Sequence, residues 1–427
     1  MKKYQQLRIK YPEFIYKKYS YKISGKNLEI LFDFDIVPKC KNNSVISFQP
    51  KISIENIDIS RIKKIRKSSL NNLIFNIGLV ELLGYWKIMC SPKIIINAGF
   101  LDKKQILWWK DLIIKGMGQY FYTNQIDSRE EDFITIIINK NSKEKELNKK
   151  IRNIELKNRY LVPMGGGRDS IVTLEKLKKE NNEINCFLVN PTEIAKKVTK
   201  AGNIKNPIIV KREIDPLMFE LNKKGYLNGH TPFTALLSFL SVLCAVLFNY
   251  KNIAFSNEKS AEQGNLEYLG TMINHQYSKT FEFEKKFRNY CHTYLIKNIN
   301  YFSYIRLYTE IEISEIFVEY DKYFSIFSSC NYGSSKGKRW CESCPKCLFV
   351  YATLYPFLNK MEIKKIFGKD FFEKKELLET MNELIGNSGH KPFECVGTKE
   401  ETQKIFLLCL NKAKKTKIPF LLTKINL

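Results

Sequence analysis

The sequence predicts an α/β protein, a doubly wound parallel sheet preceded by an N-terminal α+β region and carrying a four-cysteine metal loop. Three observations predict it. From about residue 155 onward, short apolar runs alternate with helical patterns, as parallel sheets with helices on both faces require. One strand-to-helix junction carries three consecutive glycines. Four cysteines crowd into the single stretch SSCNYGSSKGKRWCESCPKC.

Residues 1–150 mix expected strands (28–36, 94–96, 133–138) with expected helices (71–89, 102–118) and hold no catalytic motif. The basic polar run Asn139 to Lys150 marks a boundary. Residues 151–350 form the expected ligand-binding domain. Tyr160 to Met164 is a buried strand, and Ile171, Leu174 and Leu177 recur at helical spacing after it. Ile184 to Pro191, Asn206 to Asp215 and Lys251 to Glu258 read as three further strands, the last two separated by the long apolar helix that follows Phe233. Residues 351–427 read as a helical C-terminal segment.

Gly165, Gly166 and Gly167 therefore form a strand-to-helix turn. Glycine admits positive φ and lets a ligand approach the main chain. The first helix amides lack internal partners and lie at the positive end of the dipole, so the turn suits an anion, phosphate above all. A plain tight turn, with Asp169 or Ser170 as helix cap, is the alternative. Gly165–Ser170, Asn190 and Ser256–Glu258 all fall at expected strand ends, where sheets of this class bind ligands. No Gly-Lys-Ser/Thr closes the loop, and the glycine spacing is not that of a dinucleotide fingerprint.

Cys341, Cys344 and Cys347 repeat at every third position, with Cys330 upstream across a glycine- and serine-rich stretch. Four thiolates at that spacing suit a structural tetrahedral zinc; an iron–sulfur cluster and a redox CxxC are the alternatives. The other seven of eleven cysteines are scattered in mostly apolar settings, which fits buried thiols in a reducing cytoplasm better than a disulfide framework. The net charge of +26 suits anionic partners, but it is spread lysine without an arginine-rich patch, so no nucleic-acid surface is expected. Phe233 to Tyr250 is interrupted by Thr234, Ser238 and Ser241 and reads as a buried helix, so no membrane partner is expected.

The loop Gly165-Gly166-Gly167-Arg168-Asp169-Ser170 resembles the pyrophosphatase loop of the N-type ATP pyrophosphatases, with Gly165 where many members have serine and Arg168 where lysine is expected. The cysteine cluster resembles the zinc site of the pyrophosphatase-loop enzymes that make the nitrile precursor of queuosine. NGHTPFTALLSFL, SNEKSAEQGN, NHQYSKTFEFE, RWCESCPKC and GHKPFECVG, in this order, make residues 155–400 similar to the MurL-type UDP-N-acetylmuramoyl-L-alanyl-L-glutamate epimerases. The resemblance implies a sheet of the adenine-nucleotide α-hydrolase (HUP-like Rossmann) type. It implies ATP and Mg²⁺ as cofactors and a UDP-linked muramoyl dipeptide as substrate. Its pyrophosphatase loop, with Ser256, Asn257 and Glu258, would bind the nucleotide. Asp169 would share a cation with the phosphates, and Glu258 would hold magnesium or ribose. His230, His275, His390 and Cys395 lie in matching segments and His292 does not. A Cys395 thiolate beside His390 is the expected base, with His390 and His230 next, and the C-terminal tail is expected to close the site. A tRNA-modifying enzyme that adenylates a base carbonyl, and a non-enzymatic nucleotide- or zinc-binding scaffold, are the rival readings.

Overall fold

The computed structural model describes residues 1–427 except 41, 43, 140–149, 152–153 and 427. Nearly all of the basic run placed at the expected boundary lies outside the described residues. Two compact units emerge, and neither is contiguous in sequence. The first comprises 1–159, 208–253 and 268–301, and the second 160–207, 254–267 and 302–427.

In the first unit, β1 (Glu13–Ser24) and β2 (Asn27–Val37) form a hairpin in register from Glu13↔Val37 to Ser24↔Asn27. Gly25 turns it at φ 57°. Leu28, Ile30, Phe32, Phe34 and Ile36 alternate along β2, and all five are fully buried. This period-two pattern commits one face of the strand to the core. β3 (Ile46–Phe48) and β4 (Lys51–Ile54) pair antiparallel with β2; β5 (Lys93–Ile96) runs parallel to β1, and β6 (Thr135–Ile138) parallel to β5. The helix Lys67–Glu81 covers this sheet. It approaches closely at Gly78, where a Cβ would sit 2.0 Å from the Tyr16 hydroxyl.

The second unit opens with β7 (Tyr160–Pro163), parallel to β8 (Ile184–Val189) in register from Tyr160↔Ile184 to Pro163↔Phe187. The helix Arg168–Lys179 connects them. Val162, Leu177 and Ala254 form a core cluster, with Tyr160, Ile184, Phe302 and Tyr304 packed against it. The C-terminal helices Pro345–Leu354, Leu378–Ile385 and Lys399–Ala413 pack on one another in this same unit.

The chain is thus a mixed α/β protein, and the strand expected within Asn206–Asp215 forms. β9 (Ile208–Glu213) groups with the N-terminal residues, pairing antiparallel with β4 from Lys51↔Glu213 to Ile54↔Val210. Arg212 secures it there through a 2.8 Å ion pair with the buried Glu81. The apolar helix, Phe233–Phe248, also belongs to the first unit, and no helix among the described residues is long and apolar enough to cross a membrane.

Candidate active site

β7 ends at Pro163, and the glycine elbow follows at once. Gly166 adopts φ 87°, and a Cβ there would meet the Ala195 backbone at 3.0 Å. Only glycine fits that position without displacing the next helix. A Cβ on Gly165 would meet nothing within 4 Å, so serine would fit there. Gly167 is the N-cap of the helix Arg168–Lys179 and has no side chain of its own to cap it. Ser170 instead turns back and donates to the Gly167 carbonyl at 2.9 Å. The elbow therefore differs from a turn capped by Asp169 or Ser170, and its helix end keeps the character of an anion site.

The arginine beside it faces inward. Arg168 is 1% exposed. Its guanidinium donates to Ser314 at 2.9 Å, to Thr353 at 2.8 Å, to Asp169 at 3.1 Å and to Glu310. Burial acts to lower its pKa, but Glu310 and Asp169 more than offset this and raise it. Glu310, completely buried, also accepts from Ser260 at 3.2 Å. Burial drives its carboxyl upward against the pull of Arg168 and Lys346. Arg168 was expected to bind phosphate with its charge; here that charge is matched inside the protein and fixes the loop from behind. Glu310 carries no motif, and sequence reasoning missed it.

Two flanking segments brace the elbow. Ser328 N–H donates to the Gly166 carbonyl at 3.2 Å, and Arg168 N–H to Ser329 Oγ at 3.4 Å. Cys330 follows directly. The sulfurs of Cys330, Cys341, Cys344 and Cys347 lie within 4.8 Å of one another, with 3.9 Å between Cys330 and Cys344 and 3.7 Å between Cys341 and Cys347. Tetrahedral Zn–S bonds of about 2.3 Å would place sulfurs roughly 3.8 Å apart, so this donor set fits one tetrahedral ion. Hydrogen bonds from Cys344 and Cys347 drive the Cys330 thiol strongly down, and the Gly333 amide donates to its sulfur at 3.1 Å. All eleven cysteines are free of disulfides.

At the end of β10 (Asn252–Phe255), Asn257 donates to Ser303 at 2.9 Å. Ser256 Oγ and Glu258 Oε2 are buried with no hydrogen-bond partner among the described residues. The GHKPFECVG segment docks on the same unit. Asn265 donates to the carbonyls of Lys391 and Pro392, Lys346 donates to the Cys395 carbonyl, and a Cβ on Gly397 would lie 3.4 Å from Glu310 Cγ. His390 Nδ1 lies 2.9 Å from the Lys391 carbonyl, with its ring 5.1 Å from that of Phe393.

Of the candidate catalytic residues, Asp169, His390 and Cys395 belong to the second unit, and His230 and His275 to the first. The rings of His230 and His275 stand 5.8 Å apart, edge to face. Burial, with Lys87 adding to it, depresses His230 to about 4. It is a neutral acceptor at pH 7, but one that holds a proton weakly.

Two family models match the chain. The MurL N-terminal domain covers residues 5–304 and the MurL C-terminal domain 326–425. The UDP-N-acetyl-alpha-D-muramoyl-L-alanyl-L-glutamate epimerase of Micromonospora sp. is 33% identical over 338 residues, 78% of this chain and 74% of that protein. The enzyme of the same name from Salinispora tropica is 32% identical over 340 residues, 79% and 73% of the two chains. That of Xanthomonas oryzae pv. oryzae is 29% identical over 342 residues, 78% and 74%. The elbow and Glu258 fall in the first matched region, the four cysteines and GHKPFECVG in the second, and over both regions the chain belongs to the MurL family.

Proposed function

We propose that this protein inverts the terminal L-glutamate of UDP-N-acetylmuramoyl-L-alanyl-L-glutamate to D-glutamate, using ATP, in the cytoplasmic phase of peptidoglycan synthesis. The observation that carries the ATP-dependent chemistry is the glycine elbow at a helix N-terminus, open at Gly165 and followed by Asp169. The parallel β7–β8 pair around it supports a sheet of the adenine-nucleotide α-hydrolase type.

The chemistry follows from charge. Removing an α-proton beside a free carboxylate would put a second negative charge on an anionic group. If a carboxylate oxygen first attacks the α-phosphorus of ATP, the bond to the β-phosphate oxygen breaks and pyrophosphate leaves. The resulting acyl-adenylate has lost the carboxylate charge and can accept the electrons of the α-carbon. A base then takes the proton, an acid returns one to the opposite face, and water cleaves the anhydride to release AMP. The elbow amides would hold phosphate oxygens, Asp169 would share a cation with those phosphates, and Glu258 would hold Mg²⁺ or ribose. His230, His390 and Cys395 remain the proton-transfer candidates. Cys330, Cys341, Cys344 and Cys347 would hold a structural Zn²⁺, and the spacing of their sulfurs favours one ion over a larger cluster.

Incubation with the UDP-muramoyl dipeptide, ATP and Mg²⁺ in deuterated water tests the whole scheme. D-glutamate carrying one α-deuterium, with AMP and pyrophosphate, is the expected product set; unlabelled L-glutamate would reject it. Asp169→Ala should abolish pyrophosphate release while the far-UV spectrum is unchanged.

A further inference from the structure

The GHKPFECVG segment contains a buried charge that the scheme above does not use. Lys391 is 3% exposed, and among the described residues its Nζ has no hydrogen-bond partner. An ammonium carries three donors, and leaving all three unmade in the interior is costly. The backbone around it is clamped, because Asn265 Nδ2 donates to the carbonyls of Lys391 at 3.3 Å and Pro392 at 2.8 Å. The backbone that carries the amine is therefore fixed, while the amine's own donors are unused.

Its surroundings indicate what it waits for. Burial lowers the ammonium's pKa, while Glu258, Glu310, Cys395 and Glu401 act from longer range to raise it. One of these, Glu258, is itself 1% exposed with an unpartnered Oε2, and the Ser256 hydroxyl two residues earlier is unpartnered too. A buried ammonium, a buried hydroxyl and a buried carboxylate oxygen thus stand unmatched in one unit. Such a set complements a ligand that brings an anionic oxygen for the first two and a hydroxyl or bound cation for the third.

We infer that the Lys391 ammonium docks an anionic oxygen of the reactants, with Glu258 Oε2 receiving a hydroxyl or cation of the same ligand. This deepens the proposed function and rests on it. Joining a carboxylate to a phosphorus brings two anions together, and a fixed ammonium removes part of their repulsion without reorganising. The oxygen has two possible sources, the nucleotide phosphates and the carboxylate of the terminal glutamate.

Equilibrium dialysis separates them, with Mg-ATP alone and with the UDP-muramoyl dipeptide alone, on wild type, Lys391→Met and Lys391→Arg. The expected result is a Kd at least tenfold higher for one probe in Lys391→Met. Lys391→Arg should show a smaller rise, and the Tm of the ligand-free Met variant should equal or exceed that of wild type. A rise for ATP assigns the phosphate, and a rise for the dipeptide assigns the carboxylate. Unchanged Kd for both probes overturns the inference; a lowered Tm would then make the ammonium a structural counter-charge to its carboxylates. Should Lys391→Met not fold, an unchanged Kd for both probes in Lys391→Arg overturns it equally. Wild type that binds neither probe overturns the proposed function as well, whereas wild type that binds them normally beside an unaffected variant overturns this inference alone.

Discussion

Arg168 and Lys391 are both cations buried in the second unit, 1% and 3% exposed, and both stand among carboxylates. Their bonding could hardly differ more. Arg168 donates to four side chains, whereas no partner lies within hydrogen-bonding distance of Lys391 Nζ among the described residues. Buried polar groups are nearly always satisfied, so the exceptions call for an explanation. A saturated cation beside a glycine elbow holds the elbow's shape. An unsaturated one nearby has its donors available to something else. Charge and burial alone would not have separated the two roles; the count of hydrogen bonds does.

The largest expected effect breaks both arms of the comparison at once, through the cysteine cluster. Ser328 and Ser329 brace the elbow just before Cys330, and Thr353 reaches Arg168 from the helix that contains Cys347. Lys346, between Cys344 and Cys347, holds the Cys395 carbonyl of the segment that carries Lys391. We expect about one zinc per chain in the wild type, bound with a structural-site affinity. Cys344→Ser should lose the metal and much of the fold's stability, and substrate-dependent pyrophosphate release should fall with it. Metal analysis, Tm and pyrophosphate assay on the same samples would show this. A metal-free variant with unchanged Tm would remove the cluster from the architecture of the site.

Next in size is Arg168 itself. Arg168→Met would leave Glu310 as an unpaired buried carboxylate, and breaking such a pair from one side costs about 3–5 kcal/mol. Arg168→Lys keeps the charge but cannot serve Ser314, Thr353, Asp169 and Glu310 together, so roughly 1–3 kcal/mol should be lost. Urea unfolding of both variants measures this. An Arg168→Lys protein as stable as wild type would mean that a point charge suffices, and the contrast with Lys391 would collapse.

How much of this could be read from sequence depends on how local each signal is. The elbow was legible because three glycines between an apolar strand and an amphipathic helix admit few backbone arrangements. The four cysteines were legible because their spacing is itself a geometric statement. Glu310 and the inward turn of Arg168 were not, since they depend on which distant helix packs against the elbow, and no local pattern encodes that. The pairing of β9 with β4 was not legible for a related reason. A short apolar run specifies a strand but not its neighbour, and the Arg212–Glu81 pair that helps locate it joins residues far apart in the chain. Lys391 shares a segment with a histidine and a cysteine whose chemistry is the more conspicuous in sequence, and only burial without a partner among the described residues distinguishes it.

The smallest expected effect concerns a third way of keeping a potential cation indoors, which is to discharge it. In the first unit, burial and the neighbouring Lys87 depress His230 to about 4, from an ordinary value of 6.5. The unfolded chain then binds a proton here more readily than the folded one throughout the window between these two values. The stabilisation from keeping this ring neutral is complete above pH 6.5 and is lost as pH falls toward 4. At pH 6 the loss should be only about 1 kcal/mol, growing on further acidification. His230→Gln, which cannot take the proton, should therefore flatten the acid limb of a stability–pH profile while changing little above pH 7. Urea midpoints from pH 4.5 to 8 would read this directly. Parallel profiles for wild type and variant would mean that the imidazole is protonated as easily in the fold as out of it. His230 would then be a charged group like the other two, and its claim to act as a neutral proton acceptor would go with the discharge argument.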